Sequence, residues 1–200
     1  MTPIEQTQHW LEQAVIGLNL CPFAKAVHTK GQIRWVHSPA TEVQALMADL
    51  VHELQLLAAA DPDAIDTTLL VHPQVLVDFL DYNDFLDLAD AALEELGLQG
   101  VLQIASFHPQ YQFEGTAPDD AENRSNRSPH PTLHLLREDS VERAVAAFPE
   151  AESIYERNIE TLRALGPEGW AKLGLRIKPG SAPGSPCAHG GGKPGSQYQA

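Results

Sequence analysis

Apolar side chains recur at spacings of three and four through Trp10, Leu11, Ala14, Val15 and Leu18, the period of a helix that buries one side. This predicts a first helix from Pro3 or Ile4 to Gly17, with Gly17 and Asn19 as stop signals. A second, short helix is expected from Pro22, because proline suits the first helical position. Ile33-Arg34-Trp35-Val36 reads as a strand. Leu46, Leu50, Leu54 and Leu57 mark one face of a helix over 43–60, with Ser38 or Thr41 as its cap. Asp61-Pro62-Asp63 ends that helix, and Thr67 to Val71 is a second strand closed by His72-Pro73. A long helical region follows over 76–96, with a candidate break at Tyr82-Asn83 and a stop at Gly97. Residues 100–107 and 132–136 supply a third and a fourth strand. Helices over 140–147 and 153–165 and a helical turn around Trp170 complete the pattern.

Strands alternating with helices of crossover length predict an α/β fold, a small mixed or mostly parallel sheet of about four strands covered by helices. Strand order stays open. Residues 1–177 read as a single domain. Residues 178–200 are rich in glycine and proline and nearly free of large apolar side chains, so they read as a disordered tail.

Composition narrows the function classes. Hydrophobic residues make up 43% of the chain, enough for a packed core. The 27 acidic residues outnumber the 13 basic ones, for a formal charge of −14. That balance argues against a nucleic-acid partner, which needs a positive surface to displace counterions. No apolar run approaches the roughly 18 to 20 residues of a membrane span. The N-terminus lacks a basic and apolar signal pattern, so a cytoplasmic location is expected. Cys21 and Cys187 form no zinc or redox motif, and no disulfide is expected.

The candidate chemistry concentrates in residues 108–131, a connection without helical or alternating period that is long for a structureless loop. His108 closes the third strand, where an imidazole acts as acid, base or ligand, or satisfies backbone carbonyls. Glu114, Asp119, Asp120 and Glu122 offer carboxylates, or form a solvated surface. Asn123-Arg124-Ser125-Asn126-Arg127-Ser128 offers donors for an anion, or pins the loop internally. His108, His134 and Glu114 are a candidate metal set, with His130 as a further histidine, although their spacing fits no zinc motif.

Outside the loop, Cys21 precedes Pro22 at a predicted helix start. Exposed amides there would favour a thiolate with Lys25 one turn on; the alternative is a small packed residue. Asp78, Asp81, Asp84, Asp87 and Asp90 recur every three residues and read as the wet face of a helix.

Several longer stretches carry a family resemblance. They are Gly17-Leu18-Asn19-Leu20-Cys21-Pro22-Phe23-Ala24, Asp66-Thr67-Thr68-Leu69-Leu70-Val71-His72-Pro73, and Phe79-Leu80-Asp81-Tyr82-Asn83-Asp84-Phe85-Leu86. Further matches are Ile104-Ala105-Ser106-Phe107-His108-Pro109, Tyr111-Gln112-Phe113, Asn126-Arg127-Ser128-Pro129 and Leu133-His134-Leu135-Leu136-Arg137. With these residues the chain resembles a bacterial family known as domain of unknown function 1415, over most of 5–175. The resemblance implies no activity, cofactor or catalytic residue. Family members carry an aromatic residue where this chain has His130.

The expectation that follows is an enzyme or ligand-binding protein for a small anionic molecule. Its catalytic set would be Cys21, His108 and Glu114, with Asn126, Arg127, Ser128 and Arg137 holding the substrate and His134 beside them. A metal-dependent hydrolase using His108, His134 and Glu114 is the second expectation, and a non-catalytic protein-interaction module the third. No cofactor or oligomeric state is implied.

Overall fold

A computed structural model describes residues 1–147 and 153–177 of the chain. The expected tail, 178–200, lies outside the described residues. The first helix, α1 (Pro3–Trp10), starts on a capping box in which Thr2 and Glu5 bond each other's backbone amides. It continues into a wider π-helical run, Leu11–Ile16, whose i to i−5 pattern persists in Gly17 N–H to Glu12 O at 3.0 Å and Leu20 N–H to Val15 O at 2.9 Å. A Cβ at Gly17 would stand 2.3 Å from the Gln13 carbonyl oxygen, so only glycine fits that turn. The short helix α2 (Ala24–Thr29) begins two residues after Pro22, beyond a turn closed by Ala24 N–H to Cys21 O.

Strand β1 (Ile33–His37) leads to α3 (Val43–Ala59), then β2 (Thr67–Val71), α4 (Phe79–Glu95) and β3 (Leu102–Phe107). Beyond the long connection come β4 (Thr132–Arg137), α5 (Glu138–Ala146) and α6 (Ile154–Lys172). The sheet runs in the order β1-β2-β4-β3. β1 and β2 are parallel, and β4 lies antiparallel to both of its neighbours. The fold is therefore α/β with a mixed four-stranded sheet.

Three local expectations differ from the structure. Glu42 occupies the N-cap of α3, while the Ser38 hydroxyl donates to Asp49 at 2.6 Å. The fourth helix begins only at Phe79, where Asp78 caps it through the Leu80 and Asp81 amides, and it runs unbroken past Tyr82-Asn83. The last two helical stretches join into α6, kinked at Gly166, whose φ of 63° is followed by Pro167.

Alternation along the strands sends two sets of side chains to opposite faces. On one face Leu70, Leu133, Leu135 and Leu102 meet Leu46, Leu50, Leu54 and Leu57 of α3 and Tyr82 and Phe85 of α4. Each leucine buried there contributes on the order of 2 kcal/mol. The aspartates of α4 point away, with Asp81, Asp84, Asp87 and Asp90 all exposed, as the wet-face reading expects. The other face carries Phe107 under Trp10, Leu11, Ala14 and Val15, and the end of the described chain (Trp170, Leu173, Leu175, Ile177) returns to this cluster.

Tyr82 ties the first layer to the sheet, donating its hydroxyl to the Thr132 carbonyl at 2.9 Å in a wholly buried setting. Tyr82→Phe keeps the ring and removes this bond, and should lower the unfolding free energy by about 1 to 3 kcal/mol. Urea denaturation measures the loss; an unchanged midpoint would show that the hydroxyl contributes nothing.

Candidate functional site

β1, β2 and β3 end at one edge of the sheet, where β4 begins, and the 108–131 connection lies there. It is built from its own hydrogen bonds. Asn123, fully buried, accepts from the Phe113 amide and the Thr116 hydroxyl, each at 2.9 Å, and donates to the Ala117 carbonyl at 2.8 Å. Arg127 donates to the carbonyls of Tyr111 at 3.0 Å and Pro118 at 2.7 Å. Asn126, in the 3-10 turn Ala121–Asn126, donates to the Ser106 carbonyl at 3.2 Å and accepts the His108 amide at 3.1 Å through its own carbonyl. Ser128 bonds the His130 carbonyl and is fully buried. Helix α6 fastens the outside through Arg163 to Glu122 at 3.2 Å and through Tyr155, edge-on to Phe113. Of the two readings the sequence leaves for Asn126, Arg127 and Ser128, the geometry displays the clasp.

His108 sits under this connection with no exposed surface. Its Nδ1 accepts the Gln110 amide at 3.1 Å and its Nε2 faces the Leu76 carbonyl at 3.3 Å, which fixes a neutral ring protonated at Nε2. His72, at the end of β2, bonds the Val75 carbonyl through Nδ1 at 3.1 Å. Tyr82 lies between the two rings, with centroids 5.8 Å from His72 and 5.1 Å from His108. Two imidazoles thus hold consecutive carbonyls of the β2–α4 connection, where Leu76 has a left-handed φ of 55°.

The expected catalytic set is not brought together. Cys21 packs into the Trp10 cluster on one face of the sheet, whereas His108 lies against the Tyr82 ring, tilted by 33°, on the other. Burial pushes the Cys21 thiol up, against the opposing pull of the Phe23 and Ala24 amides, so the expected thiolate is disfavoured. Glu114 is exposed in the loop. His134 faces the Trp10 side, its ring 5.9 Å from Phe107, and it donates through Nε2 to Thr67 at 2.7 Å because the Thr67 hydroxyl hydrogen is committed to the Leu135 carbonyl. His130 pairs with Gln6 at 2.9 Å. His108, His134 and Glu114 do not form a ligand set, and among the described residues no group of three or more His, Cys, Asp or Glu is arranged to hold a metal ion.

Arg137 stands at the other end of the sheet. It is buried, and it donates to the Leu57, Ala60 and Ile65 carbonyls at 2.6 to 3.3 Å, closing the C-terminal end of α3. Its remaining nitrogen, Nη1, forms no hydrogen bond and is not enclosed. A cleft of about 130 Å³ opens beside it, walled by Pro62, Gly100 and Val101 and by Asp139, Ser140 and Arg143 of α5. Arg143 reaches the cleft because it donates to the Ser140 hydroxyl at 2.9 Å, which in turn donates to Asp66 at 2.6 Å. Arg143 and Asp139 were not among the expected site residues. Their signal was the spacing Arg137, Ser140, Arg143, three polar residues at intervals of three across a helix start. A second cleft, of about 90 Å³, lies between the Leu18–Pro22 turn and α6.

Burial holds His72, His108 and His134 neutral down to about pH 4, whereas an unfolded histidine titrates near 6.5. Between these values the unfolded chain binds protons that the native rings refuse. Stability is therefore whole above pH 6.5 and lost as pH falls towards 4, by on the order of 2 kcal/mol per ring at pH 5. Urea midpoints should drop steeply from pH 7 to pH 5, and less steeply in His108→Gln. A flat profile over that interval would contradict the neutral buried rings.

No curated protein and no solved structure matches the chain. Among the described residues no helix is long and apolar enough to cross a membrane. The sequence model of the family described as "Protein of unknown function (DUF1415)" matches residues 2–172, and the chain belongs to that family.

Proposed function

We propose that this domain binds a small anionic molecule in the cleft between Arg137 and Arg143. One observation carries the reading: two guanidinium groups line the same cleft without a carboxylate partner, in a chain of 27 acidic and 13 basic residues. Two other arginines do meet acids. Arg34 is bidentate on Glu53 at 2.7 and 3.0 Å, and Arg163 meets Glu122. At Arg137 the charge is balanced only by carbonyl dipoles, and at Arg143 by a hydroxyl, which leaves planar donor forks for an incoming anion.

The reading is one of binding, since the cleft supplies charge and hydrogen-bond donors and lies away from Cys21 and His108. The acidic balance supports a small ligand over a nucleic acid.

Arg143 is exposed, so Arg143→Ala leaves the core intact. Calorimetric titration of the full chain with inorganic phosphate and with malonate should show binding of at least one anion, weakened about 10-fold or more in Arg143→Ala. Heat from neither anion, or equal affinity in the variant, would remove the proposal.

A further inference from the structure

The donor count of this cleft distinguishes among anions. Arg137 Nη1 is unbonded, and Arg143 uses only Nη2, so its Nε and Nη1 are free. The Glu138 amide is taken by the Val101 carbonyl at 3.0 Å, while the Asp139 and Ser140 amides, next in the first turn of α5, have no acceptor. A carboxylate offers two oxygens and one charge to this set. A phosphoryl group offers three terminal oxygens and a charge of about −1.5 to −2 near pH 7. It suits two uncompensated guanidinium groups in both number and sign.

Asp139 adds the second element. Its exposed carboxylate lines the same cleft and has no bonded partner, so it repels a bare anion and accepts from a neighbouring O–H or N–H. Charges of both signs lining one cleft suit a ligand that carries an anion and a donor close together.

We infer that the cleft takes a phosphate monoester, its phosphoryl group between Arg137 and Arg143 and a hydroxyl or amine of its organic part on Asp139. This rests on the anion-binding reading above and specifies the ligand within it. Ser140 is a positioning residue, since its hydroxyl holds Arg143 over the cleft and is itself oriented by Asp66.

Glycerol phosphate, glycerate and inorganic phosphate are titrated into the full wild-type chain and into Asp139→Asn. The wild type should bind glycerol phosphate at least 10-fold more tightly than glycerate. Measured against inorganic phosphate, which shares the relief of repulsion, Asp139→Asn should lose several-fold in its preference for glycerol phosphate, because the contact to the organic part is no longer charge-assisted. Equal affinity for glycerol phosphate and glycerate would overturn the phosphoryl assignment while leaving the anion site standing. A variant whose preference for glycerol phosphate over inorganic phosphate equals or exceeds that of the wild type would overturn the contact to Asp139. If none of the three binds, and neither phosphate nor malonate does, the anion site itself falls.

Discussion

A strand inserted antiparallel into the middle of a sheet brings its first backbone groups inside the molecule, and this constraint shapes one whole edge of the protein. β4 pairs with β2 and β3 at once, so nothing at its start can rely on solvent. The Pro131 carbonyl accepts the His72 amide, and the Thr132 carbonyl accepts the Tyr82 hydroxyl. The His108 amide, just past the end of β3, is met by the Asn126 carbonyl. A buried group left unpaired costs about 1 to 3 kcal/mol, so this set decides whether β4 can enter the sheet at all. The two histidines extend the same solution one layer outward, their neutral rings fixing the Val75 and Leu76 carbonyls. Residues that look reactive in isolation are spent on closing an edge.

The opposite end solves a related problem with a charge. The last turn of α3 leaves carbonyls that need donors in a buried position, and Arg137 supplies them from the end of β4. A guanidinium matches that task because one planar group reaches several oxygens. It also differs from Arg34, whose charge Glu53 cancels. A carbonyl carries only a partial charge, so Arg137 keeps a field that an ion pair would have removed. Structural capping and the proposed anion binding are compatible in one side chain, because they would employ different nitrogens.

Elements governed by local signals were legible from sequence. The leucine period over α3, the apolar run of β2 and the Gly97 stop each act within a few residues, and each matches the structure closely. The antiparallel placement of β4 was hidden, because it depends on which neighbours the strand meets. Which side chains meet around one cleft was hidden for the same reason. Whether the Arg127 fork faces a ligand or the carbonyls of Tyr111 and Pro118 is settled by residues 9 and 16 positions away. The upward push on the Cys21 thiol is likewise a packing effect, invisible in Cys21-Pro22-Phe23-Ala24 itself. The spacing of Arg137, Ser140 and Arg143 marks a shared face at most, and the lack of an acidic partner for Arg143 exists only in space.

Open α/β sheets commonly bind ligands beyond the carboxyl ends of their strands, next to the start of the following helix. At the edge where β1, β2 and β3 end, that position is filled by the clasped connection and the stacked rings of His72, Tyr82 and His108. β4 runs the other way, so its carboxyl end, and its direct junction with α5, lie at the far edge. The Arg137 cleft occupies that junction, lined by Arg137 at the end of β4 and by Asp139, Ser140 and Arg143 of α5. The reversed strand that forces one edge to close thus carries the strand-to-helix junction to the edge left open. An anion held there, as proposed, would sit beyond a carboxyl end in keeping with that rule, at the opposite end of the sheet from β1, β2 and β3.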